Sequence, residues 1–145
     1  MIIKKATLNE LDSLTKLFDL YRQFYEQRSD VDGASMFLKE RMMNDESVVY
    51  IALDGADPLG FVQLYPSFSS VSMKRSWVLN DLYVTKPARG KGVGEKLINT
   101  ALEFAEETGA KGVFLETAAD NTTAQRLYEK IGFVREANYF YYFSI

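Results

Sequence analysis

Apolar and polar residues follow two patterns along the chain: short apolar runs predict strands, and apolar residues spaced three or four apart predict helices. Together they predict a strand, two helices, three strands, a helix, a strand, a helix and a final strand. The predicted strands are Ile2–Ile3, 48–53, 59–65, 77–84, 112–117 and 133–145. The first predicted helix follows a capping box at Thr7–Glu10, and the other three span 33–44, 94–109 and 121–131. This order gives an α/β or α+β fold, a mixed, mostly antiparallel sheet with helices on both faces.

Composition limits the classes of function. The 145 residues, 47% hydrophobic and 26% charged, predict one soluble globular domain, 1–145. A net charge of −3 without a basic run argues against nucleic-acid binding and suits a cationic amine substrate. The chain has no cysteine or histidine, which excludes disulfides, Ser-His catalysis and the usual zinc ligand sets, so no metal is expected. No leader or membrane-spanning run is visible, which predicts a cytoplasmic protein that does not bind membranes.

The most informative stretch joins the apolar run Leu82–Val84 to the helix that begins at Gly94. The connecting residues, Arg89-Gly90-Lys91-Gly92-Val93-Gly94, leave backbone N–H groups uncovered at a helix start, and such a start favours a bound anion. The segment therefore predicts a phosphate site. Two common phosphate loops do not fit, because Glu95 stands where a P-loop has its second glycine and a dinucleotide fingerprint its third.

Two motifs carry a resemblance to a known family. The pattern Arg89-x-x-Gly92-x-Gly94 resembles the pyrophosphate loop of the GNAT superfamily of N-acetyltransferases, Gln/Arg-x-x-Gly-x-Gly/Ala. The residues from Asn121 to Phe133 resemble the second signature of the superfamily, Asn-x-x-Ala-x-x-Leu-Tyr-x-x-x-Gly-Phe, at every fixed position. The likeness is close over the second half of the chain and general over the first. The segment 77–84 and the aromatic C-terminus are similar to the histone- and polyamine-acetylating branch.

The resemblance implies the GNAT fold, in which the strand before the glycine loop and the strand after its helix splay apart to admit acetyl-CoA. The loop would hold the pyrophosphate, the strand before it would pair with the pantetheine arm, and Asn121 would contact the cofactor as well as cap its helix. Lys91 suits a solvated surface position equally well. The implied cofactor-binding residues are Leu82, Tyr83, Val84, Arg89, Gly90, Lys91, Gly92, Val93, Gly94, Asn121 and Tyr128.

Acetyl transfer from a thioester to an amine requires a proton for the leaving thiolate and a base for the amine. Tyr128 stands where the family carries its general acid, and phenols and thiols titrate within ~2 pH units of each other. The alternative is an ordinary core tyrosine. Glu116, beside the cleft, and Asp81, on the central strand, are the candidates for the base, and we expect Glu116→Gln to cost more turnover. Both carboxylates also suit a structural or solvated role, and many relatives use a water chain.

The sequence therefore predicts an acetyl-CoA-dependent N-acetyltransferase that acts on a primary amine by direct attack. The acceptor stays open between a protein lysine, a polyamine and a small amine. The first two helices wall the acceptor site in similar proteins, which gives a role to the aromatic residues Tyr21, Phe24 and Tyr25. The alternative is a non-catalytic acyl-CoA-binding sensor or interaction module on the same fold, which would have no use for a thiolate acid at Tyr128.

The C-terminal segment predicts an assembly. Residues 137–145 are rich in aromatic side chains and carry little charge, and a strand of this kind at a sheet edge invites pairing with another chain. Proteins that it resembles often bury this strand in a homodimer. The alternative is that the aromatic residues cover the core of their own domain. We expect a homodimer whose interface includes Tyr139–Ile145.

Overall fold

The structure, a computed structural model, describes the whole chain, residues 1–145. Five strands and four α-helices follow one another in the predicted order, except that the final strand is absent. They are β1 (Ile2–Lys5), α1 (Leu11–Phe24), α2 (Val31–Met43), β2 (Val48–Asp54), β3 (Asp57–Ser69), β4 (Lys74–Val84), α3 (Val93–Glu107), β5 (Val113–Phe114) and α4 (Thr122–Ile131). Short 3₁₀ turns precede α1 and follow β4.

The strands form a single sheet in chain order, from β1 to β5. The first four pair antiparallel, and β5 pairs parallel with β4. Parallel neighbours need a crossover connection, which α3 provides. The predicted mixed, mostly antiparallel sheet is confirmed.

Helices cover both faces of this sheet, also as predicted. Successive residues of β3 alternate between the two faces, so Phe61 packs under α1 and α2 whereas Val62 packs under α3. The fully buried residues of the core between the sheet and α3 include Ala52, Val62, Leu64, Leu97, Ile98 and Ala101, and those of the core between the sheet and the first two helices include Leu14, Leu38, Ile51 and Phe61. The sheet is therefore held between two separate cores.

Polar side chains fix where the first two helices begin. The predicted capping box is confirmed: the N–H of Thr7 donates to Oε1 of Glu10 at 2.8 Å, at the start of the turn that leads into α1. The second helix begins two residues earlier than predicted. Asp30 explains the difference, because its carboxylate accepts from the N–H of Gly33 at 3.0 Å and caps α2.

The predicted final strand, 133–145, is wrong for a single chain. No residue of this segment pairs with the sheet, and the side chains of Tyr139, Tyr141 and Phe143 are each more than 85% exposed. The predicted strand 112–117 is also reduced to Val113–Phe114. The pairing of β5 with β4 ends at Phe114, and no strand pairs with the other edge of β5.

Candidate functional site

The strand β4 contains one extra residue opposite β3. Gln63 pairs with Asp81, whereas the next residue, Leu64, pairs with Leu79, so Asn80 forms a β-bulge. A bulge bends its strand and increases the local twist. The bulge thus lies at the position where β4 and β5 part.

The outer edge of β4 is open beyond this point. Only Trp77 and Val78 of β4 pair with β5, which leaves the edge from Leu79 to Val84 without a neighbouring strand. Unpaired edges are normally covered or blocked in folded proteins. An open edge next to the glycine loop therefore suggests that an extended ligand pairs with it.

The register shows which backbone groups face this open edge. The N–H of Thr85 donates to the carbonyl of Leu59 at 2.9 Å, which makes Val84 and Gly60 a non-hydrogen-bonded pair of the antiparallel ladder. The N–H and C=O groups of Val84 therefore point away from β3. Because every second residue of a strand directs its backbone groups to the same side, the N–H and C=O groups of Leu82 also point away from β3. These are two of the strand residues that the sequence predicts for cofactor binding.

The glycine loop leads from this edge into α3. Gly90 and Gly92 have φ of +76° and +81°, which favours glycine, and a Cβ atom at either position would meet nothing within 4 Å. No side chain caps α3, and the backbone N–H groups from Gly90 to Glu95 donate to no acceptor in the protein. The predicted anion site is thus an open surface with free donors at a helix start.

Arg89 lies where the open edge meets the loop. Its Nε donates to the carbonyl of Val84 at 2.9 Å, and its guanidinium stands 5.6 Å from the ring of Tyr83 and 5.8 Å from that of Phe24. The contact with Phe24 brings α1 to the end of β4. Lys91, by contrast, is exposed and forms no ion pair with the protein.

The second predicted motif lies on α4. Asn121 caps this helix, because its Oδ1 accepts from the N–H of Ala124 at 3.2 Å. Tyr128 is half-buried, with its ring edge-on to Phe133 at 5.9 Å. Burial raises the pKa of the Tyr128 phenol, and Tyr25, the residue that follows α1, adds to the effect. Tyr128 is thus held by α4 and by Phe133, which lies just after this helix.

Asp81 is a buried carboxylate, 5% exposed. Its Oδ2 accepts from Nε2 of Gln63 at 2.6 Å, and its Oδ1 accepts from Nδ2 of Asn80 at 3.1 Å. Burial raises the pKa of Asp81, although hydrogen bonds from Gln63, Tyr21 and Asn80 act in the opposite direction. All the groups that stabilise the charge are neutral, so the carboxylate has no cationic partner in the protein.

Glu116 has a different environment. It follows β5, is exposed, and makes no hydrogen bond or ion pair with the protein. The two candidate bases thus differ in burial, since Asp81 lies within the core beside β3.

Two residues of this region escaped the sequence reasoning. Gln63 is completely buried in β3, and Tyr65, two residues later, accepts a hydrogen bond at its hydroxyl from Gln63 Nε2 at 3.2 Å. The available signal was weak: Gln63 is the only polar side chain in the apolar run 59–65. Its pairing with Asp81 depends on a strand register that the sequence pattern does not reveal.

Other features lie away from the open edge. A cavity of about 550 Å³ at the opposite end of the sheet is lined by Lys5, Arg75 and Thr108 among others, and includes none of the predicted site residues. No three His, Cys, Asp or Glu side chains are grouped as a metal site would require. None of the helices combines the length and the apolar content needed to cross a bilayer.

Comparison with known proteins gives a consistent result. Residues 14–133 match the acetyltransferase (GNAT) family. An uncharacterized N-acetyltransferase of Bacillus subtilis, YhfO, is 44% identical over 142 residues, which cover 98% of this chain and 95% of that protein. A probable acetyltransferase of Haemophilus influenzae is 34% identical over 119 residues, 81% of this chain and 82% of that one. A crystal structure of a probable acetyltransferase superposes with a TM-score of 0.93 at 44% identity, covering 100% and 99% of the two chains.

Proposed function

The chain belongs to the GNAT acetyltransferase family and is an N-acetyltransferase, and on this premise we propose that it transfers the acetyl group of acetyl-CoA to a primary amine. Acetyl transfer to an amine is common to the family, whose members generally use acetyl-CoA. The observation that carries the finer proposal is the open edge of β4, which continues directly into the uncapped start of α3.

The residues present fit acetyl-CoA. Leu82 directs its N–H and C=O groups and Val84 its N–H group toward the open edge, as an extended pantetheine arm with its two amides would require, while the C=O of Val84 accepts from Arg89. The N–H groups from Gly90 to Glu95 and the charge of Arg89 suit a pyrophosphate. The open space over Gly90 and Gly92 allows phosphate oxygens to approach the backbone closely.

Acetyl-CoA, when bound, supplies an acetyl thioester that a neutral amine can attack. An ammonium group must therefore first lose a proton, and Asp81 is the acceptor that the structure supports best. Its pKa is raised, which makes it a stronger base than an ordinary aspartate. Tyr128, from α4, would donate a proton to the departing thiolate. Glu116 remains the alternative base, but it is exposed and makes no hydrogen bond or ion pair with the protein.

The same carboxylate bears on the acceptor. A buried carboxylate without a cationic partner favours the approach of an ammonium group. Tyr21 and Tyr83 pack edge-on to each other beside it, with ring centroids 6.3 Å apart, and aromatic rings also attract cations. A non-catalytic acyl-CoA-binding module would need the open edge and the loop, but neither Asp81 nor Tyr128 in its present environment.

Cofactor binding can be tested with two glycines of matched geometry. Gly92 and Gly55 both have positive φ and open space where a side chain would stand, so glutamate strains the backbone at either site, but only Gly92 lies in the loop. We expect acetyl-CoA at 100 times its dissociation constant to stabilise the unmutated protein and Gly55→Glu by about 2.7 kcal/mol. Gly92→Glu should abolish this stabilisation. Calorimetry and thermal unfolding measure both quantities.

Absence of acetyl-CoA binding to the unmutated protein would overturn the proposal. A screen of amines that follows release of free thiol then separates an enzyme from a binding module. Binding without thiol release for any protein lysine, polyamine or small amine would favour the module.

The exposed C-terminus supports a second proposal, that the protein forms a homodimer through Tyr139–Ile145. Six apolar side chains of this segment are each at least 75% exposed, namely Tyr139, Phe140, Tyr141, Tyr142, Phe143 and Ile145. Monomeric proteins rarely expose a continuous apolar patch of this kind. A second copy, which carries the same segment, would bury it by symmetric pairing.

Sedimentation equilibrium at micromolar concentration should give twice the 16.5 kDa of the chain. Because alternate residues of an extended segment face opposite sides, Tyr139→Asp with Tyr141→Asp tests one face and Phe140→Asp with Tyr142→Asp tests the other. At least one pair should produce monomers. Val71→Asp, at an apolar residue 96% exposed in a turn, is the control. A monomer for the unmutated protein would contradict the proposal.

A further inference from the structure

Gln63 occupies an unusual position for an amide. It lies in the middle of β3, its side chain is completely buried, and Phe61, the preceding residue on the same face of the sheet, belongs to the apolar core under α1 and α2. Burying an amide is unfavourable unless both of its ends find partners. An apolar side chain would suit this part of β3 better, so the presence of glutamine calls for a local reason.

The hydrogen bonds of Gln63 indicate that reason. Its Nε2 donates to Asp81 at 2.6 Å and to the hydroxyl of Tyr65 at 3.2 Å, whereas its Oε1 is buried without any donor. The amide thus directs its donors to the carboxylate and the neighbouring phenol while its own acceptor stays unpaired. Such an arrangement serves Asp81 rather than the packing of Gln63.

The register explains why the two side chains meet. Residues directly opposite in an antiparallel pair project on the same face of the sheet, and Gln63 is directly opposite Asp81. The bulge at Asn80 follows immediately, so Asp81 is the first residue of the bent part of β4 that pairs with β3. Gln63 therefore holds Oδ2 from the fixed strand, while Asn80 holds Oδ1 from the bulge.

We propose that Gln63 is a positioning residue for the reaction, one that holds the Asp81 carboxylate in place and keeps it ionised until it accepts the proton of the acceptor amine. The inference rests on the proposed function. In the step it supports, one proton moves from the amine nitrogen to a carboxylate oxygen of Asp81, and the nitrogen keeps the electron pair with which it attacks. Gln63 takes up no proton and contacts no substrate.

The surroundings of Asp81 make its titration easy to follow. The ionisable groups that act on it are Tyr21 of α1 and Tyr65 of β3; Tyr25 packs edge-on to Tyr21 at 5.1 Å, and the charge of Arg41 of α2 acts on Tyr65. Burial together with the Asp81 charge raises the pKa of Tyr65 to about 12 and raises that of Tyr21 as well. Neither phenol loses its proton between pH 4 and pH 9, so a titration of this cluster on the acid side belongs to Asp81.

The experiment compares Gln63→Met with Gln23→Met. Gln23 provides a matched control, since its Nε2 donates to another buried carboxylate, Asp19, at 3.0 Å. Removing the Gln63 donor makes the ionised form of Asp81 less favourable, so the acid limb of the pH profile of kcat/KM should move to higher pH. We expect a rate about tenfold lower on the limb and little change on the plateau. Gln23→Met should leave the limb in place.

A second variant covers the case in which Gln63→Met does not fold. Gln63→Glu places a carboxyl group next to Asp81, and because two adjacent carboxylates do not ionise together, the limb should move further to higher pH. The titration of Asp81 in the unliganded protein gives a readout independent of activity. Carbon-13 NMR follows its carboxyl signal, which is identified by its absence from the spectrum of Asp81→Asn.

The outcomes separate the two proposals. A titration of Asp81 that moves to higher pH in Gln63→Met and Gln63→Glu, but not in Gln23→Met, supports the positioning role even before an amine substrate is known. An unmoved titration in both variants of Gln63 overturns this inference and leaves the proposed function intact. A different result would overturn the proposed function, namely that the unmutated protein neither binds acetyl-CoA nor acetylates any amine.

Discussion

Asp19 and Asp81 are both carboxylates with 5% exposure and both accept a hydrogen bond from a glutamine, yet their pKa values move in opposite directions. The pKa of Asp19 is lowered, first by the hydroxyl of Ser29 and then by the backbone N–H of Asp30. The pKa of Asp81 is raised, because burial outweighs its hydrogen bonds. Low exposure alone therefore does not determine how a carboxylate behaves.

The depth of each group explains the difference. Asp19 lies on α1 near the surface, where its own donors cover it: Ser29 Oγ at 2.6 Å and the N–H of Asp30 at 2.7 Å. These contacts connect α1 to the start of α2, which Asp30 caps. Asp81 lies deep between the sheet and α1, where its donors are side chains from β3, β4 and α1. The first carboxylate connects two helices, whereas the second retains the capacity to take up a proton.

We expect the largest effect, a loss of turnover, when Asp81→Asn is compared with Asp19→Asn. If Asp81 accepts the amine proton, its amide variant should lose about 10²–10⁴ in turnover, the usual contribution of general base catalysis. Asp19→Asn should change turnover little, because its contacts lie away from the open edge of β4. Steady-state kinetics with the best amine from the screen, at saturating acetyl-CoA, measures both variants.

Glu116→Gln is the control for this comparison, and we expect it to cost less turnover than Asp81→Asn. This expectation is the opposite of the one drawn from the sequence, and it rests on Asp81 being buried and Glu116 exposed. A larger loss in Glu116→Gln would return the base to Glu116 and would remove the functional meaning of the contrast between Asp19 and Asp81.

A smaller effect is expected at the other end of the proton path. Tyr128→Phe keeps the ring and its packing on Phe133 but removes the proton for the thiolate, so turnover should fall roughly tenfold to a thousandfold with unchanged acetyl-CoA affinity. Tyr50→Phe is a matched control, because burial also raises the pKa of Tyr50 but its ring packs on Phe104 beneath α3. Equal activity of the two variants would make Tyr128 a core residue only.

Local patterns made part of this site predictable. The glycines before α3 and the cap at Asn121 depend on neighbours in sequence, and the structure has them as predicted. The pairing of Gln63 with Asp81, two residues 18 positions apart in the chain, depends instead on the bulge at Asn80, which shifts the register between β3 and β4. The failure at the C-terminus has a similar origin. Its apolar pattern predicts an extended segment, but whether a partner strand exists depends on where β5 leaves the sheet.

The smallest expected effect is on the free energy of unfolding as a function of pH. Its measurement tests the two carboxylates without any substrate. The folded pKa of Asp19 is lowered, so its ionised form stabilises the fold above the pKa of about 3.9 expected when unfolded, and this stability is lost as the pH falls through the folded pKa. Asp19→Asn should therefore lower the free energy of unfolding by roughly 1–2 kcal/mol at neutral pH and by less in acid.

Asp81 should show the opposite sign. Its folded pKa is raised, so its ionised form is unfavourable to the fold at neutral pH, and the penalty disappears as the pH falls through the folded pKa. Asp81→Asn removes the charge, keeps one oxygen that can accept from Gln63 Nε2 and adds an NH₂ group that can donate to Gln63 Oε1. This variant should be at least as stable as the unmutated protein at pH 7, and the difference in stability should shrink in acid. Urea unfolding between pH 4 and pH 8 measures both variants. A loss of stability at pH 7 in Asp81→Asn as large as that in Asp19→Asn would mean that both carboxylates are structural.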